Sequence, residues 1–135
     1  MKIELCKIIS LPKLSDSRGD LSFIENNHQI PFNIKRVYYL YNVPHDAKRG
    51  AHSHKNLEQL MIAISGSFDI TLDDGINKQT YHLNSPSKGL YIPSLIWRDI
   101  QNFSDDAVCI VLASEPYDES DYIRDYQNFL DLRGK

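Results

Sequence analysis

A chain of 135 residues, 41% hydrophobic and 24% charged, has the size and balance of one globular domain, and residues 1–135 are expected to form a single domain whose core needs no staples. Its net charge of -3 argues against a nucleic-acid partner, because duplex binders carry a basic surface. A nucleotide, which needs only a few local cations, is still compatible with that charge.

The first nine residues carry Lys2 and Lys7 and no apolar stretch, so no secretory signal is expected. No window approaches the roughly 18 apolar residues of a membrane span. Cys6 and Cys109 are too few and too far apart for a disulfide framework or zinc knuckle, and they fit reduced thiols. A cytoplasmic protein with no membrane contact is the expectation.

Strands dominate the chain from Ile34 onward. Residues 34–43 (IKRVYYLYNV) are rich in β-branched and aromatic side chains. Residues 58–64 (EQLMIAI) run into a Ser65-Gly66 turn. Residues 67–72 (SFDITL) alternate, with Phe68, Ile70 and Leu72 on one face. Asp73, Asp74 and Gly75 supply turn chemistry, and residues 78–83 alternate again, with Tyr81 and Leu83 on one side. Further strands are expected at 89–92, 97–103 and 107–113. Short strands at regular spacing indicate a β-sandwich or small barrel. From Ser120 the apolar residues Tyr122, Ile123, Tyr126, Phe129 and Leu130 fall at helical spacing, which predicts a short C-terminal helix capped by Asp118 or Ser120 and ending before Gly134.

The stretch 49–58 (RGAHSHKNLE) carries the chemistry. Residues two apart on a strand share a face, so His52 and His54 project together into whatever that face encloses. His28, His45 and His82 stand alone and are expected to be structural. Glu58 either holds a histidine tautomer or bonds elsewhere within the barrel. Tyr81, Tyr91 and Trp97 fit core positions at least as well as ligand-stacking ones.

His52, His54, Glu58 and Gly66 resemble the first motif of the cupin superfamily, with Asp46 where its leading glycine would stand. The second motif is partial: Pro93 and Asn102 keep their places, but Leu95 replaces a glycine and Arg98 replaces the last histidine ligand. A guanidinium has no lone pair to donate and repels a cation, so an anion is expected there and no metal.

The resemblance narrows when the segments DSRGDL at 16–21, KRVYYL at 35–40, RGAHSHK at 49–55, DDG at 73–75, YIP at 91–93, Trp97 and SDYIRDY at 120–126 are taken together. They resemble the sugar nucleotide 3,4-ketoisomerases over nearly the whole chain. That resemblance implies a mainly β cupin, a jelly-roll β-barrel with a short C-terminal helix, working as a homodimer with exchanged N-terminal strands and no cofactor. It implies a dTDP-linked 4-keto-6-deoxy sugar as partner, dTDP-4-oxo-6-deoxy-glucose, and a dTDP-6-deoxy-hex-3-ulose as product, on the way to 3-amino-3,6-dideoxy sugars of surface polysaccharides.

Moving a ketone from C4 to C3 requires a base for the C3 proton, and imidazole suits that task near neutral pH. The resemblance gives this role to His52, with His54 orienting the sugar, sharing the proton or stabilising the enediolate. Tyr38 and Tyr39 point to opposite faces of their strand, so one enters the cavity, and the resemblance favours Tyr38. Arg18 and Arg98 are candidates for polarising or positioning the sugar, and Arg36, Arg49 and Lys55 for the pyrophosphate. The rival functions are a non-catalytic sugar-nucleotide-binding cupin, a 3,5-epimerase on the same substrate, and a metal-dependent oxygenase.

Overall fold

A computed structural model describes residues 2–134; the outermost positions of the expected domain, 1 and 135, lie outside the described residues. Its strands are β1 (Lys7–Ser10), β2 (Lys13–Asp16), β3 (Gly19–Ser22), β4 (Arg36–Tyr41), β5 (Arg49–His54), β6 (Gln59–Ser65), β7 (Phe68–Asp73), β8 (Lys78–Leu83), β9 (Lys88–Ile92), β10 (Trp97–Gln101), β11 (Val108–Ala113) and β12 (Tyr122–Ile123). One helix, α1 (Tyr126–Arg133), comes last, and single 3-10 turns stand at Lys2–Leu5 and Glu119–Asp121.

Ten of the strands form two antiparallel five-stranded sheets, ordered β1-β9-β6-β11-β4 and β12-β5-β10-β7-β8. This is the double-sheet jelly roll of the cupins. The remaining pair, β2 and β3, make a two-stranded hairpin on their own.

Period-2 patterning builds the interior. Phe68, Ile70 and Leu72 of β7 meet Met61 and Ala63 of β6, Leu90 and Ile92 of β9, and Cys109 and Val111 of β11 in one buried cluster. At roughly 1.5–3 kcal/mol for each large apolar side chain removed from water, this cluster is the main force closing the two sheets. In β4 the same alternation turns Tyr38 and Leu40 toward that cluster and leaves Val37, Tyr39 and Tyr41 exposed.

Two smaller layers lie outside the barrel. Ile30 and Phe32 cover Leu60, Ile62, Tyr91 and Leu112 on the first sheet. On the second, α1 seals the outer face, with Phe129 packed against Trp97 and Ile123. Tyr91 and Trp97 thus serve as packing residues.

The helix begins later than the apolar spacing predicts. Tyr122 and Ile123 are strand residues paired with His54 and Ser53, and Asp118 caps only the 3-10 turn. The cap of α1 is Asp125, whose carboxylate accepts from the backbone N–H of Gln127 and Asn128. The sheet edge offered by β5 outweighs a local periodicity that both structures satisfy. Among the described residues no helix is long and apolar enough to cross a membrane.

Candidate active site

β5 and β10 bring the site together. They are antiparallel, and Arg98 stands directly opposite His52 in the register, so the two side chains share the inward face. The pairing slips between Arg98 and Asp99, leaving Ala51 as the extra residue of a bulge with φ at 56°. Gly50 beside it has φ at 87°, and a Cβ there would lie 2.9 Å from the Arg98 carbonyl oxygen, so the close approach of the strands requires glycine. The bulge has a functional effect. Arg49 and His52 would face opposite sides of a regular strand, yet here both line one cavity.

A second backbone outlier supports the pair from below. Leu95 holds φ at 59°, the conformation for which the cupin motif uses glycine, and its N–H donates to the His54 carbonyl at 2.8 Å. Left-handed backbone at two non-glycine positions beside the histidines concentrates local strain at this site.

The cavity, about 570 Å³, is lined by Arg36, Tyr38, Leu40, Lys48, Arg49, Gly50, His52, Met61, Ile100, Tyr122 and Arg124. Four of these carry cations and none is a carboxylate. The Glu119 carboxylate is engaged nearby by Arg124 at 2.6 and 3.0 Å and by the Tyr117 hydroxyl at 2.7 Å. Arg36 has its Nε and one terminal nitrogen buried without a partner while it stacks on Tyr38 and Tyr117.

The two imidazoles meet edge to face, 4.9 Å between ring centres, and Tyr122 packs 5.1 Å from His52 and 4.4 Å from His54. His52 Nδ1 lies 3.0 Å from the Gly50 carbonyl oxygen, and His54 Nδ1 lies 3.2 Å from Asp121 Oδ2. A carbonyl and a carboxylate only accept, so each ring carries its proton on Nδ1 and its lone pair on Nε2. Neither Nε2 has a hydrogen-bond partner among the described residues. Asp121 is fixed in turn by the backbone N–H of Asn56 at 2.8 Å and of Leu57 at 3.3 Å.

Arg98 is fully buried, and among the described residues no carboxylate lies within ion-pair distance of it. It donates to the Ile96 carbonyl at 3.0 Å and to the Gln59 side-chain oxygen, and Gln59 Nε2 donates to the Tyr38 hydroxyl at 3.0 Å. Burial lowers its pKa to about 10, which leaves it a cation at neutral pH. Burial first, and then this cation, push His52 down to about 4 and His54 down to about 2, so both rings are neutral.

These shifts set how stability varies with pH. Histidines neutral in the fold but protonated when unfolded contribute stability above the unfolded value of about 6.5. That contribution is lost as pH falls toward about 4 for His52, and still lower for His54. The expected result is a urea midpoint that drops steadily from pH 7 to pH 4.5, with a slope approaching about 1.4 kcal/mol per pH unit for each ring. A midpoint unchanged between pH 7 and 5 would show that the rings take up protons in the native state over the same pH range as in the unfolded chain.

Of the residues singled out from sequence, His52, Tyr38, Arg36 and Arg49 line the cavity, while His54 and Arg98 lie buried directly behind it. Two are placed elsewhere. Arg18 sits at the tip of the β2–β3 hairpin, its side chain 88% exposed and bonded to Asp16. Lys55 lines a separate shallow hollow beside Asn128 and Leu132 of α1. Glu58 points away from the histidines and accepts from the Tyr91 hydroxyl, and the carboxylate that bonds His54 belongs to Asp121. Sequence reading missed Asp121, Tyr122, Arg124, Lys48 and Gln59. Asp121, Tyr122 and Arg124 lie in the segment 120–126 that carries part of the resemblance, and Gln59 had a signal as the inward neighbour of Glu58 on an alternating strand.

Comparison with known proteins agrees with this geometry. The family model FdtA, described as WxcM-like, C-terminal, matches residues 4–134. A TDP-4-oxo-6-deoxy-alpha-D-glucose-3,4-oxoisomerase of Aneurinibacillus thermoaerophilus is 49% identical over 91% of this chain and 88% of its own. A histidine-to-asparagine variant of the 3,4-ketoisomerase QdtA of Thermoanaerobacterium thermosaccharolyticum, solved in complex with TDP-4-keto-6-deoxyglucose, superposes with a TM-score of 0.93 at 44% identity, covering 95% of this chain and 93% of that one. The TDP-quinovose 3,4-ketoisomerase WlaRB of Campylobacter jejuni gives a TM-score of 0.91 at 51% identity, over 93% and 97% of the two chains. A jelly-roll barrel, an imidazole with a free lone pair in a cationic cavity and whole-chain relatedness converge: the chain belongs to the FdtA family, and it is an isomerase of the cupin 3,4-ketoisomerase type.

Proposed function

We propose that this domain converts dTDP-4-oxo-6-deoxy-glucose to a dTDP-6-deoxy-hex-3-ulose, with His52 as the base, in the cytoplasmic supply of precursors for 3-amino-3,6-dideoxy sugars. The observation that carries the reading is a cavity lined by four cations, no carboxylate and His52, whose buried Nε2 has no hydrogen-bond partner among the described residues. A nucleotide-linked sugar brings a pyrophosphate that matches such a lining. Arg36 and Arg49 face that pyrophosphate.

Each step balances without a redox cofactor. His52 Nε2 takes the C3 proton, and the C–H electron pair becomes the C3=C4 double bond of an enolate whose charge rests on the C4 oxygen. The hydroxyl proton moves from the C3 oxygen to the C4 oxygen. His52 then returns its proton to C4 as the C3 carbonyl forms. Tyr38 at the cavity wall, and the Arg98 cation buried behind it, stabilise the oxyanion. His54, oriented by Asp121, packs edge to face against His52 and holds that ring in place. An imidazole held near pKa 4 is free of its proton at neutral pH, and the negative charge growing on the enediolate raises its basicity as the proton arrives.

The working unit is proposed to be a homodimer with exchanged N-terminal strands. In support, β2 and β3 pair with no other strand among the described residues, and their hairpin exposes Leu14 and Leu21. β4 exposes Val37, Tyr39 and Tyr41 on the outer sheet face. Covering such side chains is worth about 25 cal/mol per Å². Exchange of the arm would also carry Arg18 to the partner.

The test is to incubate chelator-treated protein with dTDP-4-oxo-6-deoxy-glucose in deuterated water and track the sugar by proton NMR. Deuterium entering the ring with migration of the ketone to C3 is expected. Epimerisation at C3 and C5 with the ketone left at C4 would assign an epimerase instead, and an unchanged spectrum would leave a binding module.

A further inference from the structure

Gln59 links two groups of the site without lining the cavity. Its side chain is wholly buried between Arg98 and Tyr38. Chemistry alone sets the direction of both bonds. A guanidinium has only donors, so the amide must turn its oxygen to Arg98. Its NH2 then faces Tyr38 at 3.0 Å and has only hydrogens to offer. The Tyr38 oxygen is therefore the acceptor, and its own proton must leave in another direction. Among the described residues no group accepts that proton, and the open side of the ring is the cavity it lines.

We infer that Gln59 is a positioning residue for the isomerisation, passing the donor-only character of Arg98 through its amide so that the Tyr38 hydroxyl proton is aimed at the reacting oxygens. The inference rests on the reading that the cavity holds the keto sugar. As the C3 proton leaves, the Tyr38 O–H bond breaks and its proton goes to the C4 oxygen, leaving a phenolate. The phenolate takes the hydroxyl proton from the C3 oxygen as the new carbonyl forms, so Tyr38 ends as it began. The Gln59 N–H and the Arg98 cation behind it stabilise the transient phenolate. Tyr38 is thereby the shuttle between the two oxygens, and His52 handles only carbon.

Gln59→Glu is the sharp substitution, because a carboxylate of the same shape accepts from both neighbours. It would pair with Arg98 and turn the Tyr38 proton inward, away from the substrate. The experiment is a double-mutant cycle with Tyr38→Phe, measured as kcat and KM for ketone migration, with thermal stability and TDP affinity recorded alongside. With Tyr38 present, Gln59→Glu should lower kcat on the order of tenfold to a hundredfold, part of the roughly 10²–10⁴ that a placed acid contributes. TDP affinity and melting temperature should hold. In the Tyr38→Phe background the same substitution should cost less than about threefold, as expected for residues acting as a unit. An equal loss in both backgrounds, or a loss that tracks the melting temperature, would overturn the inference. Should the Gln59→Glu chain fail to fold, Gln59→Met in the same cycle serves, with a smaller loss that again must vanish in the Tyr38→Phe background. An unmodified enzyme that leaves the ketone at C4 would refute the functional reading itself, an outcome distinct from either result of the cycle.

Discussion

His52→Asn should abolish ketone migration while leaving a folded protein that still binds the nucleotide. The imidazole brings an unpartnered lone pair to the cavity wall, and its Nδ1 is fixed by the Gly50 carbonyl 3.0 Å away. Losing a placed base costs about 10²–10⁴-fold, and an asparagine amide offers no comparable base for a carbon acid. The NMR assay in deuterated water reads the loss directly, since deuterium entry into the ring and migration should stop together. His54→Asn should behave differently. That ring is completely buried and lies outside the cavity lining, so its loss should slow turnover less and reduce stability more, because Asp121 loses its partner. Equal rates for the His52→Asn chain and the parent would remove His52 from the mechanism. A larger activity loss from His54→Asn than from His52→Asn would exchange their roles.

Arg98→Met should separate activity from stability in opposite directions. Two opposing effects set the stability. The substitution leaves the Gln59 side-chain oxygen and the Ile96 carbonyl without a donor, at a cost of about 1–3 kcal/mol for each buried group. It also removes a fully buried cation that has no carboxylate within ion-pair distance among the described residues, and relieving such a charge recovers several kcal/mol. The melting temperature should therefore stay level or rise. Activity should fall by about 10²–10³-fold, because the oxyanion loses the electrostatic support of the cation behind the cavity wall.

The pH profile carries a second signature. Arg98 is, after burial, the largest cause of the depressed His52 pKa, which stands near 4. Without the guanidinium that pKa rises toward its ordinary value, so the acid limb of kcat/KM should move to higher pH. A variant whose acid limb stays in place while its melting temperature collapses would reduce Arg98 to a structural residue.

Much of the barrel is legible in the sequence because buried strands advertise themselves. Residues 67–72 and 78–83 alternate cleanly, and β7 and β8 form there within one residue of those bounds. β1, β2 and β3 are not legible. Each has four residues, and most of their side chains are exposed, so no apolar period marks them. The histidine pair and the arginine opposite it stand out because a ligand motif is kept at one end and broken at the other. What completes the site is long-range. Asp121 and Tyr122 reach β5 from 67 or so positions away, in a segment whose local spacing suggests helix. The bulge at Ala51 leaves no trace in composition, yet it decides that Arg49 shares a cavity with His52. Gln59 is hidden by its neighbour, since Glu58 matches the motif and draws the eye.

The two-residue strand β12 also separates the shape of the barrel from its competence. Residues 117–125 bring Tyr122 and Arg124 to the cavity wall and Asp121 to His54, and both large sheets except this edge are already encoded upstream of them. The strands upstream can pair without this stretch, but His54 is then without its carboxylate and the cavity lacks one wall. Shape is written into the body of the chain, and competence is added by a single short segment acting as the final fitting.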